Sequence, residues 1–326
     1  MRVRQLSFRG DESIAVRECE LPAVTAEDVL VKVECSAISP GTERLAYRGE
    51  LPDNVEAVGA VSTLDGTIEY PLAYGYAAVG EVREVGATVE DSWVGKRVFA
   101  YAPHGTHVVT SPEELVPVPE GLESQEAALF ATVETAVTLL LDGRPAIGER
   151  VVVHGQGLVG LVTTGLLAHT PAASVTAVEP VAGRQELARS LGADRTVERV
   201  PPETAADLSY ELSGDPAALD AAIDTTAFDG RVVVGSWYGD RPVSAHLGRH
   251  FHRNRIAIES SQVSTIPPRE RGRWSRGRRT DVTWSWLERL DLDRLITHRV
   301  DFENAGRAYE LLEECPGETV GVVLTC

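Results

Sequence analysis

Lysine is nearly missing from this 326-residue chain: only Lys32 and Lys96 stand among 31 basic residues, and the remainder are arginines. Positive charge as a whole is also short, since 49 Asp and Glu against 31 Lys and Arg leave a formal net charge of −18. Such a surface repels phosphate backbones, so nucleic acid is excluded as an expected partner. No run of about 18 apolar residues occurs, which excludes a spanning helix and a membrane partner from the expectation. The opening MRVRQLSFRGDES is too polar for a secretory signal, so a folded cytoplasmic protein is expected. Cysteine is scarce and scattered at Cys19, Cys35, Cys315 and Cys326. Without CxxC spacing it argues against a zinc knot or a disulfide framework, leaving reduced, structural thiols. The acidic, Lys-poor composition has two origins that account for it equally: a salt-rich, halophilic cytosol that screens self-repulsion, or a GC-rich genome that writes Arg for Lys.

What is present is apolar enough, at 43% hydrophobic residues, for about two domains with their own cores. Residues 1–120 run as short alternating segments such as VRQLSF, DVLVKVECSAIS and AAVGEVREVG, broken by Gly and Pro, which reads as a rolled, mainly antiparallel β-domain. From about residue 122 the texture changes. SQEAALFATVETAVTLLLDG has helical spacing, with Ser124 as candidate N-cap. Strands and helices then alternate to about residue 262, the pattern of a doubly wound parallel sheet, so the fold class is α/β. The closing helix and strand are too short to bury a core alone, so they are expected to rejoin the first domain. The expected boundaries are 1–127 with 263–326, and 128–262 inserted between them.

The most specific motif is VVVHGQGLVG, residues 151–160. An apolar strand breaks into Gly155-Gln156-Gly157-Leu158-Val159-Gly160 and opens a helix, the context in which a glycine loop holds a dinucleotide pyrophosphate. Glu179 ends the next strand, VTAVEP, where an acid accepts from the adenine ribose hydroxyls and repels a 2′-phosphate. NAD is therefore expected over NADP, although Arg184 stands close enough in sequence to pair with a phosphate.

With these residues in hand, the chain resembles the medium-chain dehydrogenase/reductase superfamily, of zinc alcohol dehydrogenase type, over nearly its whole length. DVLVKVECSAIS, YGYAAVGEVREVG, VGKRVFA, LVPVPEGL, the GQGLVG loop, ELARSLGAD, GRVVVGSW and ITHRVDFENAGRAYELL fall in the family's order. The resemblance implies a GroES-like β-domain with a Rossmann domain, and substrate between them. It implies that Ser213, Gly214, Gly235, Ser236 and Ser260-Ser261-Gln262 line the cofactor path. It also shows departures. Where zinc members carry Cys beside Gly-Thr-Asp, this chain has Ser39-Pro40-Gly41-Thr42-Glu43; where they carry Gly-His-Glu, it has Gly75-Tyr76-Ala77. The third ligand's place is near Ala131, the four-cysteine lobe is absent, and Gly321 stands near an expected pyrophosphate Arg. Catalytic zinc needs three protein ligands, so no zinc is expected, unless His104, His107 and Glu134 rebuild a site. SAISPGTERLAYRGELP and VETAVTLLLDG are similar to the zinc-free group that includes bacteriochlorophyllide hydroxyethyl dehydrogenase.

Without zinc, side chains must manage the substrate oxygen. The catalytic candidates are Tyr76, Thr42, Glu43, His104 and Glu134, each with a plainer reading. Tyr76 fills the vacated metal cavity, His104 faces solvent, Glu43 pairs with Arg44 or Arg48, and Glu134 answers a helix dipole. In PPRERGRWSRGRR, Arg273 beside Trp274 is the candidate grip on an anionic substrate; its rival is a solvated loop. His250 and His252 are read as structural. The expected function is zinc-independent, NAD(H)-dependent interconversion of a secondary alcohol and a carbonyl on a small molecule. The alternatives are NADPH-dependent reduction of enone or quinone C=C bonds, and non-catalytic dinucleotide binding. The resemblance implies a homodimer through RIAIESS.

Overall fold

Alternation of apolar and charged side chains sets the first elements. In this computed structural model, which describes residues 1–52, 54–55, 66–201 and 204–326, β1 (Arg2–Phe8) and β2 (Ile14–Glu20) form an antiparallel hairpin from Arg2 opposite Glu20 to Phe8 opposite Ile14. β3 (Val29–Ile38) buries nearly every residue beyond Lys32 and Glu34, as a central strand does. α1 (Pro40–Arg48) starts on Pro at its first position and stops at Gly49, whose φ of 70° is the left-handed cap glycine accepts. A short ladder of β4 (Asn54–Val55) and β5 (Gly66–Thr67) follows. β6 (Ala78–Val85), β7 (Arg97–Ala100), β8 (His107–Thr110) and β9 (Leu115–Pro117) complete the β-rich stretch, and α2 (Ser124–Ala127) and α3 (Phe130–Gly143) lead out of it.

The second unit then alternates strand and helix: β10 (Arg150–His154), α4 (Leu158–Leu167), β11 (Ser174–Val178), α5 (Ala182–Ser190), β12 (Arg195–Val197), β13 (Ala206–Glu211), α6 (Pro216–Thr225) and β14 (Thr226–Val234). α7 (His250–Arg253), β15 (Ala257–Ser260) and α8 (Arg276–Arg289) finish it. All six strands are parallel in the order β12-β11-β10-β13-β14-β15, so successive strands are added outward in opposite directions from β10 and from β13, the switch point of a Rossmann sheet. Val151, Val153, Leu208, Tyr210 and Val233 make its core.

β16 (Ile296–Asp301), α9 (Ala305–Glu314) and β17 (Gly321–Thr325) return to the first unit. β17 lies between β16 and β3 in the order β16-β17-β3-β6-β7-β9, with β8 also paired to β3. Around it Phe8, Ile38, Tyr47, Tyr74, Phe302, Tyr309 and Leu324 pack as one core, and Val29, Val31, Val82 and Val98 as another.

Two expectations are corrected. The compact units are Met1–Ala131 with Asp291–Cys326, and Thr132–Leu290, so residues 263–290 belong to the second unit rather than the first. The buried Arg279 explains this: it binds Glu134, Thr138 and the Val263 carbonyl, all of that unit. The expected long helix is also two, α2 and α3, and Ser124 is not a side-chain cap but donates to Glu34 Oε2 at 2.6 Å.

Candidate active site

Five stretches of the first unit meet in a buried polar cluster. Ser36 comes from β3, Ser39 precedes α1, Thr42 and Glu43 lie in its first turns, Tyr76 precedes β6, His104 follows β7, and Tyr309 stands on α9. Glu43 is fully buried. Its Oε1 accepts from the Ser39 N–H at 2.8 Å, and its Oε2 accepts from His104 Nε2 at 2.9 Å and the Tyr309 hydroxyl at 2.6 Å. A carboxylate only accepts, so Nε2 of His104 carries a proton. Its Nδ1 lies 2.7 Å from Ser36 Oγ. His104 is thus wholly enclosed rather than solvent-facing. Gly75 makes room for it: at φ +112°, an added Cβ there would lie 2.5 Å from the His104 ring. Glu43 does not pair with Arg44 or Arg48; both grip Glu313.

Tyr76 is partly buried, and its hydroxyl donates to Ser39 Oγ at 2.5 Å and lies 3.3 Å from Thr42 Oγ1. Burial lifts its phenol above the ordinary value although Ser39 and Thr42 pull the other way. Tyr309 is lifted further, by burial and then by the Glu43 charge. Both phenols therefore hold their protons at neutral pH. Tyr309 was not foreseen; AGRAYELL shows it only as one apolar position of an amphipathic helix.

In the second unit the glycine loop is shaped by close approach. Gly155 has φ +89°, and a Cβ there would lie 2.5 Å from Ser213 Cα; one on Gly160 would lie 2.0 Å from the Gly155 carbonyl oxygen. Around Gly157 the space is open, and it caps α4 with no side-chain acceptor. The first-turn N–H groups of Leu158, Val159 and Gly160 have no intrahelical partner, which makes this end an anion site. Gln156 supports the loop from within: its side chain donates to the Val153 carbonyl and accepts from Thr164. Glu179, buried, accepts from the N–H groups of Gln156 at 2.9 Å and Val181 at 3.0 Å, with Arg184 3.9 Å away.

Ser213, Gly235 and Ser236 gather at the carboxyl ends of β13 and β14 around the buried Glu211. Ser213 donates N–H and hydroxyl to its carboxylate, the Gly235 N–H donates to its carbonyl at 3.0 Å, and Ser236 Oγ accepts from Gly214 at 2.9 Å. Tyr238, unforeseen, donates to the same carboxylate. Ser260 is exposed at the end of β15, whereas the Ser261 hydroxyl is engaged by Asp142 at 2.7 Å. His154, entering the loop, is buried with Nε2 unpartnered, and burial lowers its pKa to about 4.

Three further expected residues belong to the second unit. Glu134 forms a buried ion pair with Arg279 at 2.9 Å. Arg273 and Trp274 line a pocket with Leu140, Leu141, Arg144, Glu270 and Arg278. That pocket is at the foot of α3, the end from which the chain enters β10, whereas the glycine loop follows that strand's carboxyl end.

A family model for the alcohol dehydrogenase GroES-like domain matches residues 25–139, and one for the zinc-binding dehydrogenase matches residues 159–276. The D-guloside 3-dehydrogenase of Escherichia coli (strain K12) is 26% identical over 349 residues, covering 99% of this chain and 100% of the relative. Among solved structures, a protein described as a short chain alcohol dehydrogenase from Escherichia coli CFT073, complexed with NADH, superposes with a TM-score of 0.80 at 20% identity, covering 100% of this chain and 99% of that one. A putative zinc-binding dehydrogenase from Sinorhizobium meliloti 1021, bound to NADP, gives 0.79 at 19% identity over 100% of both chains.

The side chains do not fit the metal that the second family model's description implies. Among the described residues no three His, Cys, Asp or Glu gather as a metal-binding group. Both ring nitrogens of His104 are engaged, Glu43 already accepts from three donors, and His107 Nδ1 lies 3.1 Å from Thr106 Oγ1. Tyr76 offers a phenol that burial keeps protonated, a poor ligand.

Proposed function

Because this chain belongs to the medium-chain dehydrogenase/reductase superfamily, we propose that it interconverts a secondary alcohol and a carbonyl on a small molecule, using NAD(H) and no protein-held zinc. The observation that carries this reading is the pairing of a glycine loop built for a pyrophosphate with a Tyr76–Ser39–Thr42 hydroxyl set where zinc members keep ligands. Neighbours solved with NADH and with NADP support a nicotinamide cofactor, and Glu179 supports the form without a 2′-phosphate. The resemblance to a D-guloside dehydrogenase supports a CH–OH substrate.

A bound nicotinamide supplies the carbon that gives or takes hydride. The Leu158, Val159 and Gly160 N–H groups would hold its pyrophosphate, and Glu179 would accept from its adenine ribose. Tyr76 is the catalytic residue. Its phenol gives a proton to the carbonyl oxygen in reduction and recovers one in oxidation, and Ser39 and Thr42 turn their hydroxyls toward the phenolate between those events. Glu43, His104 and Tyr309 are positioning residues: through the Glu43 carboxylate on the Ser39 N–H they fix the hydroxyl that Tyr76 meets. The exposed Ala257 and Ile258 of edge strand β15 support a homodimer by strand pairing.

Calorimetric titration with NAD and NADP, metal analysis and turnover of Tyr76→Phe test the reading. Tighter binding of NAD, no stoichiometric zinc in active protein, and a Tyr76→Phe rate reduced by ~10²–10⁴ are expected. Stoichiometric zinc in active protein, or full activity of the Phe variant, overturns it; preference for NADPH moves the reading to C=C reduction.

A further inference from the structure

The pocket at the foot of α3 has no part in the function proposed above, yet it gathers charge of the sign this protein is short of. Arg144, Arg273 and Arg278 line about 320 Å³ together with Trp274 and the half-buried Leu140 and Leu141. Glu270, the one carboxylate in its lining, is buried and taken by Arg273 at 3.0 Å, and Glu259 lies 3.8 Å from Arg144, so Arg278 is the lining guanidinium that no described carboxylate pairs. On a chain of net charge −18 an anion is repelled from most of the surface, so a local excess of guanidinium decides where one can rest.

The start of α8 adds a second reason. A helix's amino end is positive and is ordinarily furnished with acids. Here the first turn holds none, and Arg276, Arg278 and Arg279 stand there behind the Ser275 cap. Glu134 answers Arg279. Arg278 lies over the Trp274 ring, 4.4 Å from its centroid, and donates to the Arg273 carbonyl at 2.7 Å, so its guanidinium is held with N–H groups to spare. A fixed, planar fork beside an indole and two leucines suits a flat ligand with a charged edge. The dinucleotide phosphates are not that ligand. Arg144 gives its carbonyl to Arg231, whose other guanidinium nitrogen holds Glu149 just ahead of β10, at the amino ends of strands whose carboxyl ends carry the glycine loop.

We propose that this pocket is a separate binding site for a small aromatic carboxylate of the benzoate class, the carboxylate on Arg273 and Arg278 and the ring against Trp274, Leu140 and Leu141. Isothermal titration of the full chain with benzoate, benzamide and acetate tests it, with and without saturating NAD. Benzoate is expected to bind at least about tenfold more tightly than either the uncharged amide or the ringless acid, and equally well with NAD present. Arg278→Ala and Arg273→Ala are each expected to weaken benzoate about tenfold, with the melting midpoint as a check on folding. Arg273 is largely exposed, so that variant keeps the test open should Arg278→Ala unfold. Benzamide binding as well as benzoate, no benzoate binding at millimolar concentration, loss of benzoate on adding NAD, or undiminished binding by the folded Arg273 variant would overturn the proposal.

Discussion

The glycine loop and the Glu43 cluster are both buried polar assemblies, but they are made of different material. The loop is consecutive backbone: Gly155, Gly157 and Gly160 are chosen for what a Cβ would strike or leave open. The cluster is side chains drawn from residues 36 to 309, joined at one carboxylate. A backbone device tolerates changes of side chain around it but not of Cβ at its close approaches. A side-chain device tolerates backbone variation but fails when its central acceptor is lost.

Changing Glu43 should give the largest effect. Glu43→Ala strands three buried donors, on Ser39, His104 and Tyr309, and is expected to cost about 3–5 kcal/mol in urea unfolding. Glu43→Gln, which keeps an acceptor, should recover part of that; equal losses for both would show that the cluster does not turn on acceptors. Next comes His154, between strand and loop. Its pKa is lowered to about 4 from the ordinary 6.5, so protonation favours the unfolded chain. Stability is full above about pH 6.5 and declines as pH falls toward 4, by about 3 kcal/mol in all. His154→Leu should flatten that part of the pH profile. Gly160→Ala puts a Cβ 2.0 Å from a backbone oxygen, and about 1–3 kcal/mol of stability should go together with dinucleotide binding. The smallest stability change is expected at Gly157, where the space is open. Gly157→Ala should stay within about 0.5 kcal/mol on melting while weakening NAD measurably in titration, because only the ligand comes that close.

The same contrast explains what could be read from the chain beforehand. The loop, its strand and helix, and the parallel order of the second unit follow from local spacing, and Glu179 from its distance to the glycines. Tyr76, Thr42, Glu43 and His104 were legible as residue types by comparison with a family's motif, but not their pairing. His104 in YAPHGTH looks like a loop histidine, because nothing nearby in sequence announces Gly75 beneath its ring or Glu43 beyond it. Glu134 and Arg279 are 145 residues apart, and no periodicity links them. That pair ties α8 to α3 and so draws α8 into the second unit. Ser124 has the composition of a cap and the geometry of none, since Glu34 claims its hydroxyl. Tyr238 and Tyr309 were missed for one reason: a phenol's partner is set by tertiary placement, and sequence shows only its apolar body.

The position of β17 between β16 and β3 has a consequence for how the protein is made. On the ribosome, β3 emerges early and then waits, its Cys35–Ile38 edge unpaired on one side, while the entire parallel sheet is synthesised and collapses on its own contacts. Only when Gly321–Thr325 appears can that flank close. A nascent chain stalled just upstream would display an inserted lobe with all its strands made and, in the other, an unpaired strand edge of the kind that invites association.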